Sequence, residues 1–172
     1  MWGFCFLIKP LYHYTNYKIK QLQAKNQWES YKQSSLKKQS ISFSFCWLEI
    51  EDADIETLII FGASKENLLK FPCITSRNPD LNCKSLKLIT AHRDMHFRGL
   101  KDVKYNSTIK IELKNSNILK YKILEIEILL PKIALQRLKN KSKEEWLVLM
   151  TCYPFYYMGP APKRFLVWAK RM

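Results

Sequence analysis

Short stretches of alternating or continuous apolar residues recur along most of the chain, and this is the pattern of β-strands with one or both faces buried. From residue 41 onward these stretches follow one another at intervals of roughly ten to twenty residues, with few long helices between them. The predicted strands are 41–47, 55–61, 86–91, 109–113, 121–130, 146–152 and 164–170. Pro131 ends one of them, and residues 133–139 are predicted to form a short helical turn. The pattern indicates an all-β barrel or sandwich.

Residues 1–40 differ from this pattern and are predicted to form an N-terminal arm, helical or extended, attached to a domain at 41–172. Residues 14–38 are polar and lack Gly and Pro, as a helical arm would, although their apolar periodicity is weak. The apolar run from Trp2 to Ile8 is far shorter than the ~18–20 residues of a membrane-spanning helix. It also lacks the features of a signal peptide, so we interpret it as compatible with the remnant of a membrane anchor.

Charge is the most conspicuous property of the composition. The 172 residues, a length that suits one domain with or without a tail, include 29 Lys+Arg against 15 Asp+Glu, a net charge of +14. Such an excess raises the possibility of a basic nucleic-acid-binding β-barrel, which would be retained on DNA or RNA in a salt-sensitive way. However, the lysines are spread along the chain and are interrupted by five acids between Glu49 and Glu56. This distribution favours a solvated basic arm or a segment beside anionic headgroups, and no nucleic-acid partner is expected.

Motifs for cofactors and metals are missing from the sequence. With only 4 Gly there is no glycine-rich phosphate loop, and the five cysteines form no CxxC pair and have no His at metal-ligand spacing. We therefore predict no cofactor and no metal. The odd cysteine count leaves at least one thiol free unless it pairs with another chain.

Three residues capable of catalysis fall at the ends of predicted strands. Cys152 ends an apolar strand, His92 lies just past another, and Arg164 opens the last one. A thiolate is a nucleophile, an imidazolium favours the thiolate and can protonate a leaving amine, and a guanidinium can stabilise an oxyanion. Each residue also has an ordinary interpretation, since a strand-end cysteine is often only a small buried hydrophobe. Strand ends of one barrel could nevertheless bring the three together at one rim.

Two segments resemble the signatures of sortases. Residues 149–155 (LMTCYPF) and 159–167 (GPAPKRFLV) are similar to their C-terminal TLxTC motif with its downstream Arg. Residues 89–100 (ITAHRDMHFRGL), which we call the histidine segment, resemble the sortase sequence IAGHRDTHFRxL, and 61–64 (FGAS) resembles the turn that precedes it. These motif sequences are most similar to those of class D sortases and of the Gram-negative branch of sortases found in proteobacteria. The likeness runs from about residue 41 to the end of the chain.

This resemblance implies an eight-stranded sortase-type β-barrel with short helices and a cysteine transpeptidase activity. Cys152 would attack the Thr carbonyl of a Leu-Pro-x-Thr-Gly-like sorting signal and form a thioacyl intermediate. His92 would act as acid and then as base, while Arg164 would position the substrate and hold the oxyanion. Thr151 is expected to support the substrate backbone, and Asp94 either orients His92 or simply forms a turn.

The resemblance also implies partners and a location. The expected partners are surface or secreted proteins that carry a C-terminal sorting signal, together with an amine acceptor or water. The expected location is the cell envelope, associated with the inner membrane, with the catalytic domain facing the periplasm or the exterior and the anchor incomplete in this chain. Three positions depart from the family pattern: Ala91, Val148 and Trp168. None of them removes a catalytic group, but a non-catalytic sortase-like interaction domain remains an alternative.

Overall fold

A computed structural model describes residues 15, 18–19, 21–26, 28–30, 45–75 and 81–172. Within these residues eight strands close into a barrel in the order β1-β2-β3-β4-β7-β8-β6-β5. The strands are β1 Phe45–Ile50, β2 Ile55–Phe61, β3 Cys73–Ile74, β4 Lys87–Thr90, β5 Thr108–Glu112, β6 Ile118–Leu129, β7 Leu147–Tyr153 and β8 Lys163–Arg171. Two α-helices connect them, α1 Lys65–Lys70 and α2 Pro131–Asn140. The predicted eight-stranded barrel with short helices is confirmed.

Two of the strand pairs are parallel, β2 with β3 and β4 with β7, and the other neighbours in the barrel are antiparallel. The β4–β7 pair determines where the candidate chemistry lies. Because these two strands run in the same direction, the segments that follow their last residues leave the barrel at the same rim.

Alternate residues of the strands fill the barrel. On β7, Leu147 and Leu149 belong to the interior core, while Val148 belongs to a second cluster on the outward face. The outward cluster is covered by α2 through Ala134 and Leu138. It also contains the two tryptophans Trp146 and Trp168, whose rings meet edge to face with centroids 5.8 Å apart.

Helix α2 is longer than the short turn that the sequence predicts. Pro131 occupies its first turn, where a missing backbone N–H costs nothing, so the proline that follows β6 by two residues begins the helix. Arg137 donates to Glu125 at 3.0 Å and Lys141 to the same carboxylate at 2.9 Å, and Lys141 also lies 4.3 Å from the Trp146 ring centroid. These contacts hold the helix along the outward face of β6, β8 and β7.

The side chains that β1 directs into the barrel are not its aromatic ones. Cys46 and Leu48 face the interior, whereas Phe45 packs outward against Trp28, with ring centroids 5.9 Å apart. Trp28 is only 2% exposed and donates to Glu112 of β5 at 3.3 Å. The aromatic face of β1 is therefore covered by the arm, while residues 41–44 of the predicted strand lie outside the described residues.

The described residues of the arm between 15 and 30 are helical, in agreement with one form of the prediction. Two lysines of the arm form ion pairs with the acidic run at 49–56. Lys25 pairs with Glu56 at 2.6 Å and Lys18 pairs with Asp54 at 3.5 Å. Part of the basic charge is thus directed at the barrel itself. In the part of the chain that is described, no helix has both the length and the apolar character needed to cross a membrane. The apolar run 2–8 lies outside the described residues.

Two elements have no counterpart in the sequence prediction. Strand β3 has only two residues, and α1 has six and is capped by the preceding Ser64, whose hydroxyl accepts from the Asn67 backbone N–H. Elements of this length carry too few residues to establish a hydrophobic period.

Candidate active site

Cys152 and Arg164 are direct partners in the antiparallel β7–β8 ladder. Residues opposite each other in such a ladder direct their side chains to the same face of the sheet. Val148 on β7 and Trp168 on β8 lie four residues away on the outward face, so the alternation directs both Cys152 and Arg164 outward as well. Both side chains are half-buried, and both residues lie one position inside their strands rather than at the very ends.

His92 reaches the same place from β4. The parallel register pairs Thr90 with Met150, and the ladder continues by one bond from the Ala91 N–H to the Met150 carbonyl at 3.3 Å. The same offset brings the backbone of His92 level with Cys152. Ala91 belongs to the interior core, so the alternation directs the exposed His92 to the outward face. Three segments that are distant in the sequence thus bring His92, Cys152 and Arg164 to one edge of the barrel.

Thr151 ties two of these segments together. Its side-chain hydroxyl is buried and donates a hydrogen bond of 2.7 Å to the backbone carbonyl of Ala91, the residue before His92. This bond locks the strand of the cysteine to the start of the histidine segment. The hydroxyl is used inside the protein, whereas the sequence prediction gave Thr151 a role in supporting the substrate.

The Arg164 guanidinium is held by its own loop. Its Nη1 donates to the carbonyls of Ala161 at 3.1 Å and Lys163 at 2.8 Å. These two bonds engage only Nη1, so Nε and Nη2 of the guanidinium keep N–H groups that Nη1 does not supply.

Burial distinguishes the four cysteines that the structure describes. Desolvation raises the pKa of the Cys46 thiol to about 12 and that of the Cys73 thiol to about 11, so neither forms a thiolate near neutral pH. Cys83 and Cys152 are half-exposed, and all four are free thiols. Of these two, Cys152 is the one with a histidine segment and an arginine beside it.

The two described histidines are equally different. Burial lowers the pKa of His96 to about 4, so this imidazole is neutral at physiological pH. It stacks on Phe71 at a centroid distance of 6.4 Å, and its Nδ1 lies 3.5 Å from the Thr57 hydroxyl. His92, by contrast, is exposed at the rim of the barrel.

Asp94 is exposed, and within the described part of the chain it makes neither a hydrogen bond nor an ion pair. The structure therefore supplies no contact through which it orients His92. Asp94 lies in the turn at 93–97, which agrees with the second of the two roles that the sequence allowed.

A rigid base supports the histidine segment. Phe97 and Leu100 are fully buried in the barrel core, and the backbone at Gly99 lies directly against the turn at Ala53. A Cβ atom at position 99 would be 2.0 Å from the Ala53 carbonyl oxygen, so only glycine fits this close approach.

Sequence reasoning did not single out Arg93, Arg98 or Lys101, which reach from the histidine segment and the residue just after it to the β7–β8 loop (154–162). The Arg93 Nη2 donates to the carbonyl of Tyr157 at 2.7 Å, and the cations of Arg98 and Lys101 beside the Tyr156 hydroxyl lower the pKa of this phenol. The only signal in the sequence was that Arg93 directly follows His92. Its carbonyl partners lie more than 60 residues away and have no residue signature.

A free thiol, an imidazole and a guanidinium at one edge of a closed β-barrel define the arrangement of a candidate cysteine enzyme. A model of the Sortase domain matches residues 48–172. The chain belongs to the sortase family.

Relatives with known sequences or structures agree with this placement. The chain is 30% identical over 127 residues to Sortase D of Bacillus subtilis (strain 168), an alignment that covers 73% of this chain and 62% of that protein. The chain thus spans less than two thirds of the length of this relative.

Solved structures share the fold. A Clostridium perfringens Sortase D5 transpeptidase superposes with a TM-score of 0.65 at 19% identity, covering 90% of this chain and 97% of that one. Sortase C from Clostridium perfringens SM101 gives a TM-score of 0.62 at 21% identity, covering 75% and 70%. These relatives do not support the predicted likeness to the Gram-negative proteobacterial branch.

Proposed function

We propose that this protein is a sortase-type cysteine transpeptidase. Cys152 attacks the Thr carbonyl of a Leu-Pro-x-Thr-Gly-like sorting signal, the Thr–Gly bond breaks, and the thioacyl group on Cys152 passes to an amine or to water. The observation that supports this best is the ladder register, which pairs Cys152 with Arg164 and brings residue 92 level with them.

Each of the three residues has a chemical role in this proposal. The Cys152 thiolate forms the new C–S bond as the carbonyl becomes tetrahedral. Arg164, fixed through Nη1, donates to the developing oxyanion. His92 gives a proton to the departing Gly amine and later accepts one from the incoming nucleophile.

The partners and location belong to the same proposal. The substrates are surface or secreted proteins with a C-terminal sorting signal, and the enzyme works at the cell envelope, associated with the inner membrane and facing the periplasm or the exterior. A class D-like specificity is inferred from the histidine segment and the Sortase D relative.

The test is cleavage of fluorogenic Leu-Pro-x-Thr-Gly-type peptides by the wild type and three variants. Cys152→Ala is expected to abolish turnover, whereas Cys83→Ala, which removes the other half-exposed thiol, is expected to retain it. Arg164→Lys should lose most of the activity because an ammonium does not reproduce the guanidinium fork. Undiminished turnover in Cys152→Ala would refute the proposal.

Selective labelling separates an enzyme from a non-catalytic sortase-like domain. At neutral pH a thiol-reactive probe should modify Cys152 well before the buried Cys46 and Cys73, whose pKa values are raised by desolvation. An unreactive Cys152 in the folded protein would favour the non-catalytic alternative.

A further inference from the structure

The side chain next to His92 reaches across the rim of the barrel. The half-buried Arg93 donates from Nη2 to two backbone carbonyls of the β7–β8 loop, Tyr157 at 2.7 Å and Gly159 at 3.2 Å. Its guanidinium carbon also lies 5.8 Å from the centroid of the Tyr157 ring. Hydrogen bonds from a charged donor are the stronger class, and a planar guanidinium stacks on an aromatic face in a way that an ammonium does not.

The two arginines together hold alternate carbonyls from the second half of the loop to the first residue of β8. Arg93 takes those of residues 157 and 159 from the histidine side, and Arg164 takes those of residues 161 and 163 from the β8 side. Consequently, the loop that joins the nucleophile strand to the arginine strand is fixed along its second half by a residue adjacent to His92.

A further pair of cations strengthens the link between these segments. Arg98 and Lys101 lie beside the Tyr156 hydroxyl and lower the pKa of this phenol, with Arg98 as the largest cause. The loop itself offers little apolar anchoring beyond Phe155, which packs on Phe165 with centroids 5.1 Å apart. Met158 at its tip is 96% exposed.

The base from which Arg93 projects is rigid, because Ala91 is bonded to Thr151 and Phe97 and Leu100 are buried in the core. A contact between a rigid segment and a weakly packed loop controls the conformation of the loop. If this contact is lost, the β7–β8 loop is therefore the partner that changes conformation.

We propose that Arg93 is a positioning residue that latches the β7–β8 loop onto the histidine segment. The latch keeps the carbonyl of Ala161 where it holds Arg164 beside Cys152, and it fixes the loop as one wall of the groove that receives the substrate. Its effect on catalysis rests on the proposed transpeptidase function, whereas its effect on the loop does not.

The first arm of the experiment measures the loop without reference to activity. Chymotrypsin cleaves after Tyr and Phe, so initial rates of nicking within 154–162 are followed by mass spectrometry on the full chain. Arg93→Ala is expected to raise this rate about tenfold, since two charge-assisted hydrogen bonds are lost. Arg171→Ala, which removes an exposed arginine at the far end of β8, is the matched control and should leave the rate unchanged.

Arg93→Lys separates the guanidinium from its charge. The lysine keeps the positive charge but loses the planar fork and its stacking on Tyr157, so nicking should still rise by about threefold. Equal nicking of Arg93→Lys and the wild type would overturn the latch as a guanidinium device. Unchanged nicking of Arg93→Ala would overturn it altogether.

The second arm measures kcat and KM on the sorting-signal peptide. Arg93→Ala should lower kcat/KM by about tenfold, with Arg93→Lys between it and the wild type, while the thermal unfolding of both matches Arg171→Ala. If the wild type cleaves no such peptide, the proposed function fails but the nicking arm still decides the latch. If the wild type cleaves and Arg93→Ala keeps full kcat/KM, the positioning role is overturned.

Discussion

The buried hydroxyl of Thr151 provides the sharpest link between stability and the candidate site. Thr151→Val keeps the shape of the side chain and removes its hydrogen bond of 2.7 Å to the Ala91 carbonyl. Thr151 is 2% exposed and Ala91 8%, so this carbonyl is left without its donor in a region that water does not reach freely. Such a loss costs about 1–3 kcal/mol. For a domain of this size that corresponds to a fall in Tm of about 4–8 °C at a cost of about 2 kcal/mol.

The assay is urea and thermal unfolding of the wild type, Thr151→Val and Thr151→Ser. The serine variant retains the donor and loses one methyl group, worth about 0.8 kcal/mol, so it should be more stable than the valine variant. Because Ala91 precedes His92, Thr151→Val should also lose more peptide-cleaving activity than Thr151→Ser. A valine variant as stable and as active as the serine variant would show that this bond does not support the site.

Three further predictions concern buried contacts of the barrel. Gly99→Ala should unfold at much lower denaturant than the wild type, because the new Cβ would lie 2.0 Å from the Ala53 carbonyl; normal stability would contradict the close approach. Burial lowers the pKa of His96 to about 4. The free energy of unfolding should therefore fall by up to about 3 kcal/mol as pH falls from 6.5 to 4, because the unfolded chain binds this proton first. Subtracting the pH profile of His96→Phe from that of the wild type isolates this loss, and identical profiles would contradict it. Lys87 is buried and donates to the carbonyls of Cys83 at 2.6 Å and Ser85 at 2.9 Å, so Lys87→Met should destabilise by about 2 kcal/mol in urea unfolding, whereas an exposed Lys120→Met should not.

The strands of the barrel were predictable because their apolar periodicity is local. From alternation and apolar runs, the bounds of β2 and of β5–β8 were predicted to within a few residues. The same patterns predicted β4 and its end just before His92. The orientation of β1 was not predictable, because its outward Phe45 packs against Trp28 from another part of the chain. Likewise, β3 was not predictable, because its two residues are defined as a strand only by their pairing with β2 and β4.

The candidate residues were predictable from motif order and strand ends, but their contacts were not. Cys152 and Arg164 are twelve positions apart in the sequence, and only the β7–β8 register makes them partners. The internal use of the Thr151 hydroxyl and the carbonyls held by Arg93 depend on long-range geometry. Backbone carbonyls carry no residue identity, so no pattern of side chains in the sequence could have revealed them.

The central claim is that Cys152 forms the thioacyl intermediate. Intact-mass and peptide-mapping spectrometry of the wild type, mixed with a Leu-Pro-x-Thr-Gly-type peptide and quenched in acid, tests it most directly. We predict an adduct of the peptide fragment ending in Thr on Cys152, with release of the Gly-bearing fragment, and no adduct in Cys152→Ala. An adduct on Cys83, or cleavage that persists without Cys152, would contradict the claim.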